Sequence, residues 1–378
     1  MSSRKRYPVA PAPERFDEAL EAGAAEDRED FGVRYRRLRD DFHGLPRGAL
    51  RVEGRVIPDY PHIARIFALE SGVAANFDDA FHVEEKIDGY NVRVFAAGGR
   101  PVAVTRSGRL CPFTCDRLPD LAPPGALEAL FADHPELVLC AEVAGPGNPY
   151  MDVGSARVSE DVALFCFDLM RCGEQRFLPL ADRDRLLAPY DIPQAPALGW
   201  FRPAQVEELR ELVRRLDADG AEGIVLKAPG DGLRVKYVAP SINVEDVATE
   251  AALELELPGE FYSHRVVRMV MALRELGQRE RVAELGAAFG RAMAEGFDRA
   301  LDEVESSREI AKDYRVRLRE ETSIDALLSH LDRGSRTIKV RELERRRVGG
   351  HWELRLRKVF RRSSSKLSAL IGGECVFD

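Results

Sequence analysis

The chain has 378 residues, 45% of them hydrophobic and 32% charged, with a formal net charge of -8. That length allows two or three domains with a substantial buried core, and the composition is that of a folded, heavily charged protein. No apolar run is long enough to span a membrane, and an acidic total excludes binding a polyanion through overall charge.

Residues 1 to about 50 are charged and poor in apolar runs, and read as a loosely structured or helical extension. The opening "MSSRKRYPVAPAPERF" carries basic residues with no apolar segment behind them, so no export signal is expected. From about residue 51 to 250, short β-rich runs recur: "FHVEEKI", "YNVRVFAA", "RPVAVTRSG", "ELVLCAEVAG", "DVALFCFDLM", "AEGIVLKAP" and "LRVKYVAP". The second and third join across Gly98-Gly99 as a hairpin. "LPDLAPPG" reads as a proline-rich loop leading into a short helix near 125–133. "PAQVEELRELVRRLDADG" is an amphipathic helix, opened by Pro203 and ended by Gly220, with Val206, Leu209, Val213 and Leu216 at helical spacing.

After about residue 250 the apolar residues recur in three- and four-residue steps. Gly277, Gly286, Gly290 and Gly296 predict two or three helices there in place of one. The tail from about residue 305 predicts a helix, a basic stretch, and strands at "RTIKV" and "HWELRLRKVF". Between Arg333 and Lys366 thirteen Lys and Arg face three Glu, a strongly basic segment in an acidic chain. The six cysteines form no CxxC pair and the seven histidines no metal-ligand spacing. Reduced structural thiols and a cytoplasmic protein are expected.

Only eight of the 56 basic residues are lysines, and between Lys5 and Lys312 just three occur: Lys86, Lys227 and Lys236. Arginine stays protonated at any working pH. A lysine amine can lose its proton and attack a phosphorus or carbonyl centre, so a retained lysine is a candidate nucleophile or phosphate ligand. Lys86 is followed by Asp88, Gly89 and Asn91. Lys86 and Asp88 share strand parity, and Asn91 can donate to a sugar hydroxyl or a phosphate.

"EKIDGYN" resembles the KxDGxN motif of the covalent nucleotidyltransferases, which comprise DNA ligases, RNA ligases and capping enzymes. Further motifs follow in the family's order: "VTRSG" with Arg106, "LCAEVAG" with Glu142, "LFCFDLM" with Phe167, "AEGIVLK" with Glu222 and Lys227, and "LRVKYV" with Lys236. The lead-in "IPDYPHIARIFALESGV" and the layout of the chain resemble the homodimeric, archaeal-type ATP-dependent RNA ligases.

That resemblance implies an α+β fold: a nucleotidyltransferase (ATP-grasp-like ligase) domain of antiparallel sheets with helices, then a helical dimerisation segment and a small α/β C-terminal domain. The implied boundaries are an N-terminal module at 1–60, the adenylation domain at 61–250, the dimerisation domain at 251–304 and a basic C-terminal domain at 305–378.

The resemblance further implies that Lys86 attacks the α-phosphate of ATP, passes AMP to a 5′-phosphate RNA end, and lets a 3′-hydroxyl seal the strand. Lys86, Lys227, Lys236 and Glu222 are the implied catalytic set. Glu85, Lys86, Ile87, Asn91, Arg106, Glu142, Phe167, Lys227 and Lys236 would hold the nucleotide. Glu222 and Asp88 would hold Mg²⁺ or Mn²⁺. Lys86 must be neutral to attack, and Lys227, Lys236, Arg234 and the metal are expected to depress its pKa.

Two departures follow from the residues. Arg234 stands where related ligases often carry lysine, and would clamp phosphate through two donors. Glu222 and Lys227, five residues apart, would face opposite sides of a flat strand, so Glu222 precedes the strand or the strand bulges. The basic tail would contact RNA, Trp352 and Phe360 would fill a small core, and the apolar stripe within 262–300 would form a homodimer interface. The alternatives are a DNA ligase or capping-type enzyme, a catalytically silent nucleic-acid-binding protein, and a dimeric scaffold.

Overall fold

A computed structural model describes residues 14–151, 155–230, 232–250, 253, 257 and 259–374, without the side chains of 248–250. The chain opens with helix α1 (Arg15–Glu21) and strands β1 (Ala25–Asp30), β2 (Val33–Leu38), β3 (Leu50–Val52) and β4 (Arg55–Ile57). These strands form an antiparallel sheet in the order β1-β2-β3-β4, so the expected loose or helical extension holds for α1 and is incorrect from Ala25 onward. Residues 1–13 lie outside the described residues. "AEDRED" has no apolar alternation to mark it as a strand. What pairs it to β2 is charge: Arg36 contacts Asp27 at 2.6 Å and Arg37 contacts Glu26 at 2.7 Å. Val33, Tyr35, Leu50, Val52 and Ile57 point away from Arg36, on the face that also carries Arg37, into the main core.

The next segment carries β5 (Ala64–Arg65), α2 (Leu69–Asn76), β6 (Phe81–Lys86), β7 (Tyr90–Ala97), β8 (Arg100–Thr105), α3 (Pro112–Leu121) and α4 (Ala126–Asp133). It continues with β9 (Leu137–Ala144), β10 (Ala163–Arg171), α5 (Leu180–Leu187), β11 (Ala197–Phe201), α6 (Val206–Ala218), β12 (Gly223–Lys227) and β13 (Arg234–Val238). One sheet runs β10-β9-β7-β8 and is antiparallel throughout; the other runs β11-β6-β12-β13-β5, with only β13 and β5 parallel. The Gly98-Gly99 hairpin forms as expected, both glycines at positive φ. The "LPDL" part of the expected loop is instead the last turn of α3, which accommodates Pro119. α6 buries Leu209, Leu212, Val213 and Leu216 against Val83, Ile224 and Val235 of the second sheet.

Beyond these lie α7 (Ile242–Glu250), α8 (Gly259–Glu275), α9 (Arg281–Ser307), β14 (Ala311–Leu318), α10 (Glu321–Gly334), β15 (Ile338–Val348), β16 (His351–Phe360) and α11 (Arg361–Ile371). Of the four glycines expected to break the helical region, only Gly277 does so, at φ 70°; Gly286, Gly290 and Gly296 continue inside α9. The basic stretch from Arg333 to Lys366 spans β15, β16 and the start of α11, with β15 the edge of a β14-β16-β15 sheet. Leu354 and Leu356 of that sheet join Phe113 of α3 and its N-cap Cys111 in one core, with Trp352 packed against it, while Phe360 is buried beside Ile310 and Leu367. The five described cysteines are free thiols; Cys375 lies outside the described residues. Among the described residues no helix is long and apolar enough to cross a membrane. The whole is an α+β architecture in which an antiparallel and a largely antiparallel sheet flank one pocket.

Candidate active site

Strand alternation places the pocket residues. On β6, Phe81 and Val83 face the core beneath α6, so Glu84 and Lys86 face the pocket. The register sets Gly223 opposite Lys86, Val225 opposite Glu84 and Lys227 opposite His82. On β13, Lys236 pairs with Val225 and Arg234 with Lys227, and Arg65 of β5 flanks Lys236. From the other sheet, Asn91 of β7 lies opposite Glu142 of β9.

All three lysines singled out by their rarity line this one pocket, together with Glu85, Ile87, Asn91, Arg106, Glu142, Phe167 and Arg234. Glu222 reaches the same place from outside the strand, since β12 begins at Gly223; the first solution to the parity problem is the one used. Gly223 makes that entry feasible. Its φ is +147°, and a Cβ there would sit 2.2 Å from the Tyr237 carbonyl oxygen. Gly89 serves close approach, because a Cβ would lie 2.4 Å from the Val143 carbonyl oxygen.

Lys86 Nζ donates a hydrogen bond to Glu222 Oε2. Burial disfavours the ammonium, but the charges of Glu222 and Glu142 outweigh it and hold the Lys86 pKa above the ordinary lysine value. The expected depression falls on Lys236, brought down to about 8 by burial and by the charges of Lys86 and Arg65. The carboxylates near Lys86 crowd one another. Burial raises Glu142 to about 8, against the pull of Lys86 and with the help of Glu222 and Asp88. Burial and the charge of Glu222 raise Asp88 to about 7.

Lys227 and Arg234 belong to a different arrangement. Lys227 Nζ lies 2.5 Å from Glu84 and 3.2 Å from Asp168, and donates to the Phe167 carbonyl oxygen at 2.5 Å. Arg234 grips Asp168 with two donors at 3.0 and 3.1 Å and reaches the carbonyls of Ala228, Leu233 and Leu178. Its guanidinium fork is therefore held by protein acceptors, not presented as the expected phosphate clamp. Arg183 donates to Glu84 at 2.5 Å, and with Lys227 and His82 it overcomes burial and lowers the Glu84 pKa to about 2. Glu85 is likewise taken up by a protein partner, Arg157, with contacts of 2.5 to 2.9 Å.

Phe167 lines the pocket and meets Tyr60 edge-on, with ring centroids 5.6 Å apart. Arg106, exposed at the rim, contacts His62 at 2.6 Å. Glu84, Asp168, Tyr60 and His62 were not expected. Glu84 was legible, two residues before Lys86 and so on its face. Asp168 was not, because a β-bulge between Cys166 and Asp168 turns Phe167 and Asp168 to the same side.

Among the described residues no group of three or more His, Cys, Asp or Glu is placed to bind a metal by itself. The crowded acids still suit a cation. Asp88 and Glu142 are raised partly by the charge of Glu222, a repulsion that a divalent ion would relieve.

Known proteins share this architecture. A model of the RNA ligase family matches residues 79–238, and one described as the ligase Pab1020 C-terminal region matches residues 249–374. A solved structure from Aquifex aeolicus, provisionally named an ATP-dependent DNA ligase, is 37% identical with a TM-score of 0.90, over 97% of this chain and 100% of that one. An archaeal ATP-dependent RNA ligase is 24% identical with a TM-score of 0.86, over 96% of each chain, a likeness of fold. An uncharacterized protein of Methanocaldococcus jannaschii is 26% identical over 351 residues, covering 89% of this chain and 87% of its own. With its motifs, its fold and a relative 37% identical from end to end, the chain belongs to the ATP-dependent polynucleotide ligases, with an RNA ligase family domain followed by a Pab1020-type C-terminal region.

Proposed function

We propose that this protein joins 5′-phosphate and 3′-hydroxyl RNA ends at the expense of ATP, through AMP carried on Lys86. The observation that carries the reading is the convergence of Lys86, Lys236, Glu222, Glu142 and Asn91, from both sheets, on one pocket. Lys86 Nζ would attack the α-phosphorus as pyrophosphate leaves, forming a P–N bond. A 5′-phosphate oxygen would then displace the lysine from the adenylate, and a 3′-hydroxyl oxygen would displace AMP.

In the ligand-free site the attacking amine is protonated and paired with Glu222. Adenylylation therefore requires Glu222 to release Lys86 and accept its proton or see it lost. Glu222 and Asp88 would hold Mg²⁺ or Mn²⁺ jointly with phosphate oxygens and water, since such ions are commonly bound through one or two carboxylates plus substrate. When bound, the ion would neutralise phosphate charge and draw Glu222 from the amine. Lys236 would hold phosphate oxygens as charge builds on them. Glu142 and Asn91 would fix the ribose, and Phe167 would stack on the base. The Lys227–Glu84–Asp168–Arg234 cluster would hold the pocket floor in register.

We further propose the division 1–60, 61–250, 251–304 and 305–378 as N-terminal, adenylation, dimerisation and C-terminal units, and a cytoplasmic homodimer joined through the helices within 262–300. Val267 and Met271, one turn apart on α8, are 49% and 38% exposed, apolar surface that a second copy would cover.

The test is incubation with ATP and either metal, followed by intact mass, then by 5′-phosphorylated RNA. Lys86→Arg should keep the fold and lose AMP uptake. The name of the Aquifex relative favours a second reading, sealing of nicked DNA. Joining of nicked DNA with no joining of single-stranded RNA would establish that reading instead.

A further inference from the structure

The sheet of the C-terminal unit has one face built on the catalytic segment and one face open. Tyr314, Val316 and Leu318 of β14 and Leu354 and Leu356 of β16 point into a core shared with Phe113, Ile324 and Leu327. The alternate residues point the opposite way, away from the catalytic segment.

The strand registers arrange those alternate residues in rows. Asp313, Arg357 and Arg341 share one row; Arg315, Arg355 and Glu344 share the next; Arg317, Glu353 and Arg346 share the third. Each row sets two arginines against one carboxylate. Arg315 lies directly opposite Arg355, and Arg357 directly opposite Arg341. Asp313 and Glu309 each take two donors, from Arg357 and Arg341 respectively, whereas among the described residues Arg315 and Arg355 have only Glu353 and a 3.5 Å contact to Glu344, so the like-charge opposition that a ladder disfavours is least compensated there.

In the third row the carboxylate lies innermost, whereas Asp313 and Glu344, at 37% and 42% exposed, stand level with their arginines. The Glu353 side chain is 1% exposed, yet it contacts Arg315 and Arg346, whose side chains are 60% and 51% exposed. The anion sits beneath and the cations stand above it. Such an arrangement fixes the direction of the guanidinium groups and leaves their outer donors to solvent. In a chain of net charge -8, this face presents a positive excess on rigid strands.

We infer that this open face is a docking surface for the RNA backbone, at nucleotides removed from the joining point because the face looks away from the catalytic segment. The inference rests on the proposed RNA-joining reading. The contacts are to phosphate, so binding is salt-dependent and indifferent to sequence.

The experiment compares the full-length protein with its Arg317→Gln/Arg341→Gln/Arg355→Gln variant, which leaves the Glu353 cluster intact. AMP uptake without RNA should be unchanged. Affinity for long single-stranded RNA should fall about 10-fold or more, and the slope of log affinity against log salt should shrink by about 2, at roughly 0.7 per lost phosphate contact. Joining of oligonucleotides too short to leave the catalytic pocket should be unaffected. Equal affinity and equal salt slope for long RNA in variant and wild type would overturn the inference while RNA joining stood. Failure of the wild type to join any RNA would instead overturn the reading beneath it.

Discussion

Lys86 and Lys236 divide between them what the sequence assigned to one lysine. The rarity of lysine singled out both, and the motif named Lys86 as nucleophile. Which of the two has its pKa depressed depended on neighbours that strand order does not reveal. Glu222 precedes its strand and reaches Lys86, whereas Lys236 lies beside Arg65 and pairs with no carboxylate in the register. Removing the Glu222 charge should therefore lower the Lys86 pKa, because burial would then be opposed only by Glu142 and Asp88. In Glu222→Gln, labelling of Lys86 by an amine-directed reagent without nucleotide should speed up several-fold at neutral pH; no change would show that the pair does not govern the amine. The pH dependence of AMP uptake carries a second signature. Lys86 starts above the ordinary lysine range, so its neutral fraction, and kcat/KM with it, should rise about tenfold per pH unit. Lys236 is charged below its pKa of about 8 and loses that charge above it. The rise should flatten above about pH 8 in the wild type and continue in Lys236→Arg, whose charge persists.

Strands β6, β12, β13 and β10 carry the buried cluster at the pocket floor, and its behaviour belongs to the elements together. Lys227 was expected beside phosphate, yet Glu84 and Asp168 enclose it. Truncating one member of a buried ion cluster leaves its partners uncompensated, so Lys227→Ala should cost about 3–5 kcal/mol in denaturant unfolding. The cluster also sets an acid limit. Glu84 has a folded pKa of about 2 against an ordinary 4.5, so its contribution is complete above pH 4.5 and lost as pH falls toward about 2. Thermal unfolding across that window should show the loss in the wild type and a weaker dependence in Glu84→Gln. At this scale legibility followed apolar periodicity. The Gly98-Gly99 hairpin, α6, β12 and β16 were plain in the sequence. Strand β1, written entirely in charged residues and one alanine, was invisible because cross-strand ion pairs hold it. The last turn of α3 was hidden by Pro119, and the bulge at Phe167 left no mark on composition.

The whole molecule keeps its C-terminal unit on the catalytic segment through a mixed apolar core and through Asp116 and Asp120, which accept from Arg319. The order of motifs announced the two-sheet pocket, and the texture change near residue 250 announced the helices. The packing between units was not legible, since Phe113 and Leu354 are far apart in the chain and each reads as local core. Proposed assembly through α8 makes a direct prediction. Val267→Glu should convert a sedimenting dimer to monomer while leaving AMP uptake within about twofold; a wild-type monomer, or a variant that stays dimeric, would exclude that face. The central claim is narrower than any of these. Intact mass of the full-length protein after ATP and Mg²⁺ or Mn²⁺ should show one added adenylate per chain. Peptide mapping should place it on Lys86, and Lys86→Arg should abolish it. An unmodified mass, or adenylate on another residue, would contradict the account.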